Sequence, residues 1–210
     1  MRSMTTMALA TLFSLGLIAC DTDGRIEDEE LLASAEEAIV FVDDELAAEG
    51  LERDVDLLDD ERLIEEAREI AQFAIAHGCE VRGVLGGIWV HSRNDDVIDG
   101  SGTHRGRWFQ LDRSIGGDLA GTYTAADEGS GGVFDGDWES TSGLFGTLAG
   151  DYYDLGDGHG AYLGDYTETD GDAAGMLGGL WYRLDGEGGV CFGVWGQCGE
   201  NADEIDPGSY

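Results

Sequence analysis

Lysine does not occur in this sequence. All 11 basic residues are arginines, against 45 Asp and Glu in a chain of 210 residues, and the formal net charge of −34 repels nucleic-acid phosphates and anionic lipid headgroups alike. Nucleic acid is thereby excluded as a partner. Also missing are the spacings that carry chemistry. The four histidines, His77, His91, His104 and His159, form no HxH or HExxH group, and no CxxC pair occurs, so metal-dependent or hydrolytic chemistry has no motif behind it. There is no Gly-x-Ser-x-Gly elbow and no phosphate-binding loop. Beyond Cys20 no apolar run is long enough for a membrane-spanning helix.

What is present begins with an address. Residues 1–20 read MRSMTTMALATLFSLGLIAC: one basic residue, Arg2, an apolar run from Met7 to Ile18, then Ala19 and Cys20. That order is a secretory leader. The segment Leu17-Ile18-Ala19-Cys20 resembles a bacterial lipobox. The resemblance implies cleavage before Cys20, lipidation of its thiol and anchorage to a membrane of the bacterial envelope, inner or outer. Several acyl chains hold where one does not.

The chain divides on this reading into a signal peptide over 1–19, a lipid-anchored linker over 20–25, an acidic helical hairpin over 26–78, a glycine and aromatic repeat domain over 79–199 and a polar tail over 200–210. In the hairpin, Leu31, Ala35, Ala38, Ile39, Val42 and Leu46 recur with helical period, and so do Leu63, Ile64, Ala67, Ile70, Ala71 and Ala74. Asp59 or Asp60 is placed to cap the second helix and Gly78 to end it. The acidic runs at the helix starts suit the helix dipole and need no metal.

From Gly83 onward one phrase, Gly-x-φ-x-Gly-x-Trp/Tyr, occurs eight times, starting at Gly83, Gly102, Gly117, Gly132, Gly146, Gly160, Gly175 and Gly189. Its last slot holds Trp89, Trp108, Tyr123, Trp138, Tyr152, Tyr166, Trp181 and Trp195, which takes all five tryptophans of the chain. Period two is one face of a strand, and the Asp-Gly pairs between phrases are turn chemistry. The expectation is an antiparallel β-meander with the phrases in register, so that every aromatic lies over a neighbouring glycine and shields its backbone. A β-solenoid, with like residues stacked in ladders, is the alternative. The repeats also resemble MORN repeats in setting glycine and aromatics on short strands, in shorter units.

Two features favour a closed eight-stranded barrel. The outward face of repeats seven, eight and one is apolar (Met176, Leu180, Val190, Phe192, Val194, Val84, Ile88), whereas repeats three to six place Asp118, Asp135, Asp137, Asp151 and Asp165 there. Closure makes the apolar set one patch on which the helices can lie, and the aspartates rule out a lipid-facing band all round. Closure also brings Cys79, before strand one, near Cys198, after strand eight, as a disulfide available to an exported protein; Cys191, facing inward, is a buried thiol or else the partner of Cys198.

The inward face supplies the candidate ligand-facing residues: Trp89, His104, Trp108, Tyr123, Trp138, Tyr152, Tyr162, Tyr166, Trp181 and Trp195. Eight strands leave an interior filled by its own side chains or just wide enough for one small ligand, a sugar or an apolar molecule. His104 reads as a hydrogen-bonded core histidine. The Asp-Gly loops at Asp157-Gly158, Asp170-Gly171 and Asp185-Gly186 offer calcium-type oxygens without the spacing of a known calcium loop, so they read as turns. No cofactor is expected. The function class is a structural or ligand-binding module of the envelope, the alternative being an envelope hydrolase with a site assembled from loops.

Overall fold

A computed structural model describes residues 28–51, 59–94, 97–112, 116–126, 131–169, 174–184 and 188–198. Cys20 with its lipobox, and the Asp170-Gly171 and Asp185-Gly186 pairs, lie outside the described residues.

Two helices come first, α1 over Asp28–Glu49 and α2 over Asp60–Ala76. Asp59 caps α2, its carboxylate accepting the Arg62 backbone N–H at 2.7 Å. At the other end the backbone turns through Gly78 at φ +81°, a conformation that L side chains rarely adopt. Eight strands follow: β1 Cys79–Asn94, β2 Val97–Gln110, β3 Gly116–Ala125, β4 Gly131–Ser140, β5 Phe145–Gly156, β6 His159–Glu168, β7 Ala174–Arg183 and β8 Gly188–Cys198. Each pairs antiparallel with the next, and β8 pairs with β1, so the sheet is a closed barrel. At the β5–β6 hairpin Asp157 and Gly158 both take positive φ, 52° and 78°, the two-residue turn for which Asp-Gly is selected.

The register departs from the uniform one expected, and closure is the reason. In β2–β3, β4–β5, β6–β7 and β8–β1 the phrases do face each other as foreseen, with Gly102 opposite Tyr123, Trp138 opposite Gly146, Gly160 opposite Trp181 and Gly83 opposite Trp195. In the other four ladders the pairing slides by two residues: Leu85 faces Trp108, Leu119 faces Trp138, Leu148 faces Tyr166 and Leu177 faces Trp195. A slide of two keeps every side chain on its own face. Followed once around the barrel, the ladder partners of Val90 run through Thr103, Thr122, Asp135, Ala149, Asp165, Met176 and Gly196 and return to β1 at Val81. That stagger is what tilted strands need to close; phrases aligned in all eight ladders would leave almost none.

The helices lie on the outside of the barrel over the apolar patch. Leu31, Ala35, Ala38, Ile39, Val42 and Leu46 of α1 and Leu63, Ala67, Ile70 and Ala71 of α2 form one buried cluster with Val84, Ile88, Val190, Phe192 and Val194 of the sheet. Helix α1 comes so close that a methyl group at Gly86 would sit 3.1 Å from the Ala38 side chain. Polar contacts fix the seat: the fully buried Ser34 hydroxyl donates to the Gln110 carbonyl at 3.1 Å, and Arg105 of β2 binds both Glu45 and Glu49 of α1. On the far side of the barrel Asp118, Asp135, Asp137, Asp151 and Asp165 are exposed.

The disulfide expectation requires correction. No complete disulfide is found among the described side chains. The ladder sets Cys79 opposite Cys198, and Cys79 is not a free thiol, but the Cys198 side chain lies outside the described residues. What stands is the register pairing of the two strand ends, which brings the backbones of Cys79 and Cys198 together. Cys191 is free, which removes its proposed bridge to Cys198.

Candidate functional site: two aromatic cups

Alternate strands run in opposite directions, so the last-slot aromatics sort by strand into two layers. Trp89, Tyr123, Tyr152 and Trp181, from β1, β3, β5 and β7, meet edge to face in a closed cycle with ring centroids 5.9 to 6.3 Å apart. Trp108, Trp138, Tyr166 and Trp195, from β2, β4, β6 and β8, make a second closed cycle at 5.2 to 6.3 Å. Edge-to-face is the favoured geometry for aromatic quadrupoles, and each such contact adds about 0.5–1.5 kcal/mol beyond area burial.

Glycine makes both cycles possible. At all eight phrase-opening glycines, an added methyl group would come within 2.7 Å of a last-slot ring of the adjacent strand. The glycine is a window through which the indole reaches the strand beyond. Trp181 Nε1 donates past Gly160 to the Tyr153 carbonyl at 3.1 Å, Trp138 past Gly146 to Thr167 at 3.1 Å, and Trp195 past Gly83 to Phe109 at 3.2 Å. His104 uses the same device past Gly121, with Nε2 at 3.1 Å from the Asp135 carbonyl, and burial holds its pKa below the ordinary histidine value. It is a hydrogen-bonded interior histidine, as its place in the repeat suggests. The indole N–H groups of Trp89 and Trp108 are buried without an acceptor among the described residues.

Between the two cycles the middle-slot residues decide what is filled. The odd strands all place leucine there, and Leu85, Leu119, Leu148 and Leu177 line the cavities at both ends of the barrel. They close the waist and separate two cups. The first, about 270 Å³, is bounded by the Trp89, Tyr123, Tyr152 and Trp181 cycle and by His104, Phe134, Tyr162 and Cys191 from the even strands. The second, about 160 Å³, is bounded by the Trp108, Trp138, Tyr166 and Trp195 cycle, with Arg82, Gln110, Glu168 and Gln197 at its mouth. All ten candidate ligand-facing residues thus line one cup or the other: six the first and four the second.

Three polar side chains of the first cup are committed to partners. Tyr123 and His91 share a hydrogen bond of 2.7 Å between the hydroxyl and Nδ1, and His104 is tied to the backbone. The Cys191 thiol is pushed up to about 12 by burial, so it remains a thiol at neutral pH. Sequence reasoning left His91, Asp154 and Arg183 out of the site. They also line the first cup, and their place at strand ends beyond the repeated phrase is why the repeat did not point to them. Among the described residues no group of His, Cys, Asp and Glu is arranged to hold a metal ion.

No protein-family model matches this sequence, and neither a curated protein nor a solved structure matches it.

Proposed function

We propose that this chain is a lipid-anchored protein of the bacterial envelope whose barrel holds a small apolar ligand in its first cup. The observation that carries the ligand is the cavity of about 270 Å³ between the Trp89, Tyr123, Tyr152 and Trp181 cycle and the leucine floor. Concave, aromatic-lined and closed at the bottom, it has the form of a small-molecule site. The choice between a sugar and an apolar molecule follows from its wall. Sugar hydroxyls lose water on entry and need replacement partners, whereas His91, Tyr123 and His104 already have partners of their own. An apolar body loses nothing there and gains the ring contacts. The anchor rests on Leu17-Ile18-Ala19-Cys20 and the leader before it. The hydrolase alternative gains little from these groups, because the cup's one thiol is held protonated and its interior histidine is bound to a carbonyl.

Native mass spectrometry of the full chain in mild detergent tests this reading. A small apolar species retained by the parent, and lost when Cys191→Phe fills the cup, is the expected result. A retained sugar, or turnover across a panel of hydrolase substrates, contradicts it.

A further inference from the structure

The lining of the first cup includes an arginine set apart from the other described ones. Six arginines have described side chains, and five are paired with carboxylates: Arg62 with Glu66 and Arg82 with Glu80, Arg68 with Glu65, Arg105 with Glu45 and Glu49, and Arg107 with Asp118. Arg183 is the sixth, at the end of β7, and it has no ion pair among the described residues although the chain carries 45 acids. It lines the same cavity as Trp181 and Tyr152. A guanidinium with no carboxylate partner among the described residues, at the opening of an apolar cup, is suited to receive an anion.

We propose that the first cup takes a small monocarboxylic acid, its apolar body against the aromatic cycle and its carboxylate on Arg183 at the mouth. This rests on the reading of that cup as an apolar-ligand site. The planar fork of Arg matches a carboxylate with two parallel N–H···O bonds. The Tyr152 hydroxyl stands at the same mouth, within electrostatic reach of both Arg183 and Asp154. Asp154 sets the limit on charge. Its carboxylate accepts the Gly156 backbone N–H at 2.8 Å and lines the same cavity as Arg183, so a headgroup of one charge is accommodated better than a dianion. The second cup offers no equivalent, because Arg82 at its mouth is already 3.0 Å from Glu80.

Isothermal titration calorimetry on the full chain, with 3-phenylpropanoate and its neutral counterpart 3-phenylpropanamide, tests the proposal. The carboxylate is expected to bind about tenfold more tightly than the amide, the scale of one charge-assisted pairing, and the advantage should shrink as salt is added. Arg183→Gln should abolish the advantage; Arg183→Lys should keep part of it and Arg82→Gln all of it. Equal binding of the two compounds by the parent, a preference that survives Arg183→Gln, or one lost in Arg82→Gln overturns the headgroup assignment while leaving an apolar site standing. If neither compound binds, the apolar-ligand reading falls, and this inference falls with it.

Discussion

Gly160 shows why a strand-rich chain carries 35 glycines. A methyl group there would sit 2.6 Å from the Trp181 ring and closer still to the Tyr153 carbonyl that the same indole binds. Neither backbone nor packed ring yields cheaply, so Gly160→Ala should lower stability by about 1–3 kcal/mol, the range for overpacking. Gly178→Ala meets only the end of the Leu163 side chain at 3.2 Å and the Tyr162 carbonyl at 3.3 Å, and should cost less than about 1 kcal/mol. Urea denaturation of the two variants checks the contrast; equal losses would mean that the window is not what selects glycine. His104 supplies a pH signature. Its folded pKa lies below the ordinary 6.5, so its contribution is complete above that value. It is lost as pH falls through the lowered folded pKa, because the unfolded chain takes the proton first. The denaturation midpoint should fall between pH 7 and pH 5, and His104→Phe should flatten that slope. An unchanged slope would show that the proton goes elsewhere.

At the level of elements, the helices and the barrel share one core, which neither can complete alone. Ile39 of α1 and Phe192 of β8 are 3% and 2% exposed, and full burial of such a side chain stabilises by about 1.5–3 kcal/mol. A carboxylate at either place would be buried without a partner, so Ile39→Asp or Phe192→Asp should detach the helices while the strand circular-dichroism signal stays largely intact. Cleavage between Gly50 and Asp60 during limited proteolysis should then quicken; protease resistance equal to the parent's would contradict the shared core. These contacts were legible in the sequence, because helical period and strand alternation each mark one apolar face. The seat of the helices followed from the one place where outward valines and isoleucines replace aspartate. The sliding of alternate ladders was not legible. A shift of two residues leaves the alternation unchanged, and only closure selects it. The sorting of aromatics into two cycles and the four-leucine floor depend on strand direction and stagger together, so ten candidate residues read as one face prove to be two cups. Arg183 went unread because an isolated Arg at a strand end has no pattern; its meaning comes from the carboxylates that pair the other described arginines and not this one.

The whole molecule has an apolar, helix-covered flank, an acidic flank bearing Asp118, Asp135, Asp137, Asp151 and Asp165, and a cup at each end of the barrel. With so many acids, attraction to an anionic bilayer cannot hold it, and on the proposed reading lipid at Cys20 does. Cys20→Ser should therefore abolish incorporation of labelled palmitate and release the chain from the membrane fraction. Label entering that variant would remove the anchor from the account. Whether the first cup receives an apolar molecule is read from the indole N–H resonances of the five tryptophans in a nuclear magnetic resonance titration with toluene. Trp89 and Trp181 line the first cup, and Trp108, Trp138 and Trp195 the second. Saturable shifts of the Trp89 and Trp181 signals are expected at concentrations that leave Trp138 and Trp195 in place; no saturable shift of Trp89 and Trp181, or earlier movement of Trp138 and Trp195, would show that the first cup is not an apolar-ligand site.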